Sequence, residues 1–317
     1  MYIFIINPVA GHGKAKRIFT KISASRLYKE INSIYFFTRY AGHAEELVHN
    51  LYQDNELDNL VGMIVIGGDG TLHEVVNGLG KLRLPLSFIP GGSGNDFARG
   101  SDLKDHPLKI FERIINNEET LPYWLGQYKT EQNNTRYFVN SVGIGFDAEI
   151  VKVVESSLFK PLLNKIYLGS LIYVLALVKT LFKFTPSTIT VEIDGRTHTF
   201  TQCWMITIAN HPFYGGGMKI LPNATIQPDN VSVLVIHGIS KWKILALFMT
   251  VFTGKHTTFS EVEVFKAKEV KIIPTKQMAY QVDGQKGKCE LMCISKDEYP
   301  MPIIGSYKSI APACKIS

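Results

Sequence analysis

The sequence predicts a two-domain protein of class α/β plus β, with a doubly wound, mostly parallel sheet followed by an antiparallel β-sandwich. Short apolar runs alternate with helical segments up to about residue 117, which is typical of a parallel sheet with helices on both faces. After residue 122, short strands and turns dominate, as in antiparallel sheets. A chain of 317 residues can bury two cores. We therefore expect domains at residues 1–122 and 123–299.

The composition is that of an ordinary soluble enzyme. Hydrophobic residues make up 45% of the chain and charged residues 20%, values that are common in globular proteins. The formal net charge of +6 suits an anionic nucleotide or an anionic membrane surface. The four cysteines do not resemble a disulfide framework, and the N-terminus lacks the basic region of a signal peptide. We therefore expect a cytoplasmic protein, and we expect no nucleic-acid partner.

The first two strands each end in residues that suit a ligand site. Tyr2 to Ile6 is a buried apolar strand, followed by Asn7-Pro8, a loop with glycines and a basic helix. Ile34 to Phe37 is the second strand, which ends at Thr38 before another helix. Because many strand ends carry glycine or a hydroxyl residue, these two loops alone do not identify a ligand.

The stretch around the third strand carries the most chemical information. Val61 to Ile66 is a short apolar run typical of a buried parallel strand. The loop after it consists of Gly67, Gly68, Asp69 and Gly70. The spacing Thr71-x-x-Glu74 predicts a capping box at the start of the next helix. Free N–H groups at such a helix start bind phosphate. An acid there would repel phosphate, so Asp69 is predicted to be a base or a ligand of a phosphate-bound metal.

The fourth strand, Leu86 to Ile89, leads into a second loop that suits a ligand. Small and polar residues in this loop allow close backbone approach to an anion: Gly92, Ser93, Gly94 and Asn95. Asp96 follows, and it could orient an acceptor hydroxyl or cap the next helix. Because parallel strands end at the same edge of a sheet, both glycine loops are expected to line one crevice.

The second half contains short strands, helices and one clear hairpin turn. We expect strands at Arg136–Val142, Thr188–Asp194, Thr197–Gln202, Trp204–Ala209, Val231–His237, Glu261–Lys266, Glu269–Ile273, Gln277–Val282 and Cys289–Ser295. Asp194-Gly195 is a two-residue hairpin turn. Helices are expected near residues 147–156, 162–182 and 241–253. The longest apolar run, Ile166 to Val178, has 13 residues, fewer than the roughly 20 of a membrane span.

Four sequence blocks resemble the diacylglycerol kinase catalytic domain family, which includes bacterial lipid kinases and sphingosine kinases. The most specific are GGDGTLHEVVNG at 67–78 and PGGSGNDFAR at 90–99, and NSVGIGFDA at 140–148 and GGGMK at 215–219 are also similar. The resemblance implies a first domain like that of NAD kinases and phosphofructokinases, with a tail of about 300–312 returning to it. It also implies transfer of the γ-phosphoryl group of ATP to the hydroxyl of a lipid such as diacylglycerol, with Mg²⁺.

The resemblance implies roles for individual residues. The nucleotide is expected to lie against Asn7, Pro8, Thr38, Gly67, Gly68, Gly70, Thr71, Gly92, Ser93, Gly94 and Asn95. Asp96 is expected next to the lipid acceptor. From the residues themselves, Asp69 is the expected base, because its loop holds it close to where the γ-phosphate would lie. Asp283 is expected to help position the metal or the acceptor.

Two positions depart from the family pattern. The family's Asp-Gly-Glu, whose glutamate serves as the base in bacterial diacylglycerol kinases, is Asp283-Gly284-Gln285 here. Glutamine cannot accept a proton at neutral pH, so Gln285 decides whether the family's activity carries over. An Asp-Asp-Gly-like loop that holds Mg²⁺ in some members is Gln227-Pro228-Asp229-Asn230 here. Asp229 is then the remaining carboxylate, and we expect poor Mg²⁺ binding at that loop.

These departures leave three functions open. A lipid kinase at the membrane surface explains the glycine blocks and a cationic helix near Lys160 to Lys183, although core packing also explains that helix. A catalytically weak nucleotide- or lipid-binding regulator follows if the base has been lost. A kinase of a soluble acceptor follows from the likeness to NAD kinases, and its acceptor pocket would be charged. The acceptor lipid, a homodimer and a peripheral position at the inner face of the membrane also stay open.

Overall fold

The structure is a computed structural model that describes residues 1–53, 60–116, 119–155 and 169–305, with side chains except at 154–155 and 169–175. Lys160, Lys165, Cys314, the first part of the helix expected at 162–182 and residues 306–312 of the expected tail lie outside the described residues. Within those residues, no helix is long and apolar enough to cross a membrane.

The elements alternate between helix and strand in the first third of the chain and are mainly strands afterwards. The helices are α1 (Ala10–Ser23), α2 (Arg26–Glu30), α3 (His43–Gln53), α4 (Asp69–Leu79), α5 (Asp96–Gly100), α6 (Pro107–Ile115), α7 (Phe146–Glu155), α8 (Gly169–Lys183) and α9 (Lys241–Val251), with a 3₁₀ turn at Lys255–Thr258. The strands are β1 (Tyr2–Ile6), β2 (Ser33–Phe37), β3 (Gly62–Gly67), β4 (Leu86–Pro90), β5 (Leu121–Tyr123), β6 (Gly126–Thr130), β7 (Arg136–Phe138), β8 (Ser141–Gly145), β9 (Ser187–Ile193), β10 (Arg196–Ala209), β11 (Phe213–Tyr214), β12 (Met218–Lys219), β13 (Val231–His237), β14 (Val262–Ala267), β15 (Glu269–Pro274), β16 (Met278–Val282), β17 (Gln285–Cys289), β18 (Met292–Lys296) and β19 (Met301–Ile303).

The first sheet has the strand order β2-β1-β3-β4-β19-β5 in the described part of the chain. Neighbouring strands are parallel from β2 to β19, and β5 is antiparallel to β19. Every residue of β1 and β3 is buried, because helices such as α1 and α4 pack on this sheet. The predicted mostly parallel α/β fold is confirmed, and the carboxyl ends of β1, β3 and β4 lie side by side.

The second sheet is antiparallel and follows the path β17-β16-β8-β10-β9-β15-β18-β6-β7 among the described residues, with β13 joining β10 to β14. Its buried side chains form a core of their own that includes Ile144, Val191, Ile206 and Val233. The predicted antiparallel β domain is therefore confirmed. The Asp194-Gly195 hairpin is also confirmed, because Ile193 pairs with Arg196 across a turn with φ of +48° and +77°.

The strand predictions were wrong at three places in the second sheet. The strand expected at Arg136–Val142 is two strands, β7 and β8. The strands expected at Thr197–Gln202 and Trp204–Ala209 form one strand, β10, which bends through a register shift near Gln202, where φ is +48°. The strand expected at Cys289–Ser295 is two strands, β17 and β18, with a turn between them. The sequence QKGKC of β17 lacks a clear apolar alternation, so its periodicity did not predict a strand.

The chain passes between the two sheets at two adjacent places. It leaves the first sheet after β5 and enters the second at β6, and it returns from β18 to β19. The two crossings are joined by hydrogen bonds, from the N–H of Asp297 to the carbonyl of Leu125 (2.9 Å) and from Lys296 Nζ to the carbonyl of Trp124 (3.2 Å). β19 pairs with β4 on one side and β5 on the other, so the end of the chain completes the first sheet.

Candidate active site

Three glycine loops meet at the carboxyl edge of the first sheet. They follow β1, β3 and β4, and their backbones touch each other. A methyl group at Gly11 would overlap the carbonyl oxygen of Gly91, and one at Gly92 would lie 2.5 Å from the Cα of Gly68. Gly11 also has a φ of +55°, in the left-handed region that favours glycine. The loops therefore form one continuous backbone surface of the kind that binds phosphate groups.

Asn7 and Thr71 hold the first two loops together. Asn7 Nδ2 donates to Thr71 Oγ1 at 3.0 Å, and Asn7 Oδ1 accepts from the N–H of Val9 at 3.2 Å. Gly67 lies beneath this pair, where a methyl group would be 2.7 Å from Thr71 Oγ1. These residues, which were predicted to contact the nucleotide, thus position the loops by their side-chain bonds. Pro8 continues the same loop.

The capping box predicted for Thr71 and Glu74 is wrong. Helix α4 begins at Asp69, its N-cap is Gly68, and no side chain of the described residues caps it. The carboxylate of Glu74 instead accepts from the N–H groups of Gly42 (2.8 Å) and Ala44 (3.1 Å), at the start of α3. The uncapped N–H groups of α4 therefore remain available to an anion.

The loop after β4 is closed by one of its own residues. Asn95 has a φ of +54°, its Oδ1 accepts from the N–H of Gly92 (3.0 Å), and its Nδ2 donates to the carbonyl of Gly92 (2.8 Å). Ser93, at the tip of the loop, is exposed. On the neighbouring helix start, a methyl group at Gly70 would have no atom within 4 Å. The surface at Gly70 and Ser93 is therefore open, whereas a methyl group at Gly94 would lie 3.1 Å from Asp69 Oδ2. Thr38 is buried just after β2, and its N–H donates to the carbonyl of Ile6 (2.8 Å).

The carboxylate of Asp69 lies between the two main glycine loops. Its Oδ2 accepts from the N–H of Asp96 (3.1 Å), and its Oδ1 accepts from the N–H of Phe97 (3.0 Å) and from Asn140 Nδ2 (3.3 Å). A carboxylate has about four acceptor positions, so these three bonds leave one on Oδ2. Burial raises the pKa of Asp69 above its ordinary value, and the three donors oppose this rise in pKa. Asp69 therefore holds the start of α5 and can still accept one proton.

Asp96 is a buried carboxylate beside the half-buried Asp69. Burial, and then the charge of Asp69, raise its pKa to about 6. Its Oδ2 accepts from the N–H of Gly216 (2.7 Å), and its Oδ1 accepts from Arg99 Nη1 (3.0 Å). The start of α5 is capped by Asp69, so the alternative that Asp96 caps this helix is wrong. Asp96 instead joins the α5 loop to the Gly215–Gly217 loop of the second sheet.

A hydrogen-bond chain from the second domain orients Asp69. His211 Nδ1 accepts from the N–H of Phe213 (3.2 Å), which places the ring proton on Nε2. Nε2 donates to Asn140 Oδ1 (2.8 Å), which leaves Asn140 Nδ2 to donate to Asp69. Burial lowers the pKa of His211 to about 4, so the ring is neutral at pH 7. Sequence reasoning missed His211. Asn140 lies in a block that the resemblance singled out, but with no role assigned.

Asp283 is the centre of a bridge between the domains. Its two oxygens accept from the N–H groups of Val139 (2.7 Å), Asn140 (2.8 Å) and Ser141 (3.1 Å) and from His73 Nδ1 of α4 (2.9 Å). The side chains of Asp283 and His73 are fully buried. Four donors fill the acceptor positions of a carboxylate, which leaves none for a metal ion or an acceptor hydroxyl. This geometry favours a structural role for Asp283 over the predicted catalytic one.

Gln285 lies directly after the turn that carries Asp283. Asp283 and Gly284 have φ of +50° and +90°, and Val282 pairs with Gln285, which is the geometry of a two-residue hairpin. Gln285 is half-buried. The turn is joined through Asn140 to Asp69, so Gln285 directly follows a turn that belongs to this network.

The carboxylates beside the glycine loops suit a magnesium ion that arrives with a nucleotide better than one held by protein ligands alone. No cluster of three or more His, Cys, Asp or Glu that could hold a metal ion occurs among the described residues. Asp229, the predicted metal residue, is exposed in the segment before β13. Mg²⁺ is often held by one or two carboxylates together with substrate phosphates. Asp69 and Asp96 are a pair of that kind, beside the loops that suit phosphate.

Two family models match this chain. The diacylglycerol kinase catalytic domain matches residues 1–126, and the YegS C-terminal NAD kinase beta sandwich-like domain matches residues 140–291. The Bacillus subtilis (strain 168) protein named "Putative lipid kinase YtlR" is 33% identical over 287 residues, which cover 90% of this chain and 93% of that protein. The chain belongs to the diacylglycerol kinase family of lipid kinases.

Other members of the diacylglycerol kinase family are more distant in sequence. The diacylglycerol kinase of B. subtilis (strain 168) is 28% identical over 89% of each chain, and that of Mycobacterium tuberculosis (strain H37Rv) is 26% identical over 84% of this chain and 83% of its own. The crystal structure of a diacylglycerol kinase from Bacillus anthracis str. Sterne aligns over 98% of both chains, with a TM-score of 0.69 and 18% identity. This last match shows that the fold is shared.

Proposed function

We propose that this protein transfers the γ-phosphoryl group of ATP to the hydroxyl of a membrane lipid such as diacylglycerol. The observation that carries the proposal is the meeting of three glycine loops beside a carboxylate with one free acceptor position. The loops offer backbone N–H groups to phosphates, and Asp69 offers a proton acceptor within the same crevice. Phosphoryl transfer needs these two parts, together with charge neutralisation.

In the proposed reaction, the α4 helix start and the Gly92–Asn95 loop hold the phosphates of ATP. The lipid hydroxyl oxygen forms a bond to the γ-phosphorus, the bond to the bridging oxygen of ADP breaks, and the hydroxyl proton moves to Asp69 Oδ2. Bound Mg²⁺ would neutralise charge on the phosphates. Asn140 and His211 keep Asp69 oriented, and Asp96, which holds the Gly215–Gly217 loop, lies on the acceptor side of Asp69.

The proposal is tested by incubating the protein with γ-labelled ATP, Mg²⁺ and a panel of lipids in mixed micelles, followed by chromatography. Labelled phosphatidate from diacylglycerol is the expected product. In a parallel reaction that also contains NAD, label in this soluble acceptor with none in lipid would support the soluble-acceptor alternative. ATP binding without any labelled product would support a regulatory protein on the kinase scaffold.

Valine in place of Gly70 is expected to weaken ATP binding by about 10-fold or more, roughly 1.4 kcal/mol. The side chain would stand in the open space above the loop where phosphate is proposed to lie, and the backbone would not have to change. Isothermal titration with ATP measures the effect, and Gly70→Ala should show a smaller loss. The melting temperature serves as the control, because no atom of the described residues lies within 4 Å of the added Cβ. Unchanged ATP affinity in the folded Gly70→Val variant would contradict this phosphate site.

Glutamate in place of Gln285 separates two assignments of the base. If Asp69 is the base, as we propose, Gln285→Glu should change turnover by less than about threefold, and it should weaken ATP binding slightly by adding charge near the phosphates. If position 285 must supply the base, the wild-type protein is nearly inactive and the variant gains one or more decades, roughly 1.4 kcal/mol for each. Steady-state assays with diacylglycerol micelles distinguish the two. A large gain in turnover over a nearly inactive wild-type protein would favour the regulatory-protein alternative and would contradict the assignment of Asp69 as the base.

A further inference from the structure

Helix α9 is apolar on its exposed side as well as on its buried side. Three residues pack into the core: Ile244, Leu247 and Val251. On the opposite side, Trp242 is 72% exposed and Met249 is 74% exposed, and Phe252, just after the helix, is also exposed. A helix that is hydrophobic all round is normally buried on all sides. In the described part of the chain, one side of α9 is left facing outward.

The end of helix α8 extends the same apolar surface. Val178 and Phe182 are exposed there, and the ring centroid of Phe182 lies 6.1 Å from that of Trp242 in an edge-on contact. Lys241 Nζ donates to the carbonyl of Phe182 at 3.0 Å. The two helix ends are therefore held together. We call the exposed surface formed by Val178, Phe182, Trp242, Met249 and Phe252 the docking face.

The charged residues in the two stretches that form the docking face are lysines. Lys179 and Lys183 are exposed beside Phe182, and Lys255 is exposed in the 3₁₀ turn after α9. In the sequence, no Asp or Glu occurs between Glu155 and Glu192 or between Asp229 and Glu261. The next acid along the chain after α9, Glu261, is paired with Lys243 at 2.5 Å. The stretches that form the face thus carry lysines and no carboxylates.

We propose that the docking face binds the surface of an anionic lipid bilayer, an inference that rests on the proposed lipid-kinase function. Tryptophan sits at the level of the lipid headgroups, where its apolar ring and its N–H both find partners. Phenylalanine is common on the apolar face of helices that lie on a membrane surface. Lysines that flank them attract anionic headgroups. A diacylglycerol acceptor does not leave the bilayer, so the enzyme has to reach the membrane surface. The apolar side chains of the face contact the upper acyl chains, and the lysines contact the headgroups. A bilayer fits better than a protein groove, because several separated lysines match a surface with many anions better than a single carboxylate.

The fluorescence of Trp242 can be used to test this proposal. Vesicles of phosphatidylcholine with and without phosphatidylglycerol, free of diacylglycerol and ATP, are added while tryptophan emission is recorded. We expect a blue shift with the anionic vesicles, quenching by lipids brominated near the headgroup, and the loss of both signals in Trp242→Phe. Trp204 is buried and serves as an internal reference. A blue shift that depends on protein concentration without vesicles would show that a second copy covers the face, and would overturn the proposal.

Two variants test the apolar and the cationic parts separately by vesicle co-sedimentation. Met249→Ser with Phe252→Ser should weaken partitioning by about tenfold, and Lys179→Gln with Lys183→Gln by about fivefold for each lysine. Tyr299→Ser is the control, because Tyr299 is an exposed aromatic at 60% that lies outside the face. Equal partitioning of wild type and both variants would overturn the proposal. Phosphorylation of a short-chain, water-soluble diacylglycerol should be unchanged in all of them, so a failure of kinase function would show there and not in the vesicle assay.

Discussion

Replacing Asp69 by asparagine is expected to lower the turnover of lipid phosphorylation by about 10²–10⁴-fold, the usual effect of removing a general base. Asparagine keeps an oxygen for the N–H of Phe97 and for Asn140, but it presents an NH₂ group to the N–H of Asp96. This mismatch of donors should cost about 1–3 kcal/mol of stability. The melting temperature should therefore fall, while the folded variant still binds ATP.

The pH dependence of turnover separates a base from a structural carboxylate. A base must be deprotonated, and burial raises the pKa of Asp69. Turnover of the wild-type protein should therefore fall on acidification at a higher pH than an ordinary aspartate would give. Asp229→Asn, at an exposed aspartate, is the matched control and should keep the wild-type profile. Near-normal turnover of Asp69→Asn would show that another group takes the proton.

Replacing Asp283 by alanine is expected to lower the free energy of unfolding by about 3–5 kcal/mol, as when one partner of a buried ionic group is removed. Three backbone N–H groups and the ring of His73 would lose their acceptor inside the protein. Alanine also tolerates the φ of +50° poorly. Asp283→Asn should cost less, about 1–3 kcal/mol, since asparagine accepts this φ and keeps one oxygen.

Asp194 provides a matched control for Asp283. It also begins an Asp-Gly hairpin turn, with a φ of +48°, and its Oδ1 accepts from the N–H groups of Lys268 and Glu269 at 2.9 Å. Asp194 is exposed, so Asp194→Ala should cost only about 1 kcal/mol. Urea unfolding of the variants measures the difference. Equal losses at positions 194 and 283 would show that burial and the bond to His73 contribute nothing to the bridge.

The sequence predicted the parts of the site that depend on neighbouring residues. Buried strands such as β3 are continuous apolar runs, and the glycines that follow them mark where the backbone must approach something closely. The position of Asp69 within such a loop was enough to predict it as a candidate base. The likeness of Gly92–Asn95 to a phosphate loop rested on the same local pattern. These inferences need no knowledge of which strand lies beside which.

The bonds that organise the site could not be predicted in this way, because they join residues far apart in the chain. Glu74 caps α3 rather than its own helix, and His73 and Asp283 are separated by 210 positions. The spacing of a capping box does not reveal that the start of another helix, α3, lies within hydrogen-bond distance of the Glu74 carboxylate. The exposure of one side of α9 could not be predicted either, because a helix that is apolar all round is normally buried on all sides.

The placement of β19 between β4 and β5 has a consequence for the order of events during synthesis. When β4 leaves the ribosome, its outer edge has no partner, because that partner ends at Ile303. At about 5–20 residues per second, the wait is roughly 10–40 s. Throughout that interval the nascent sheet exposes unpaired N–H and carbonyl groups, which can pair with other chains. The first sheet is therefore begun first and finished last.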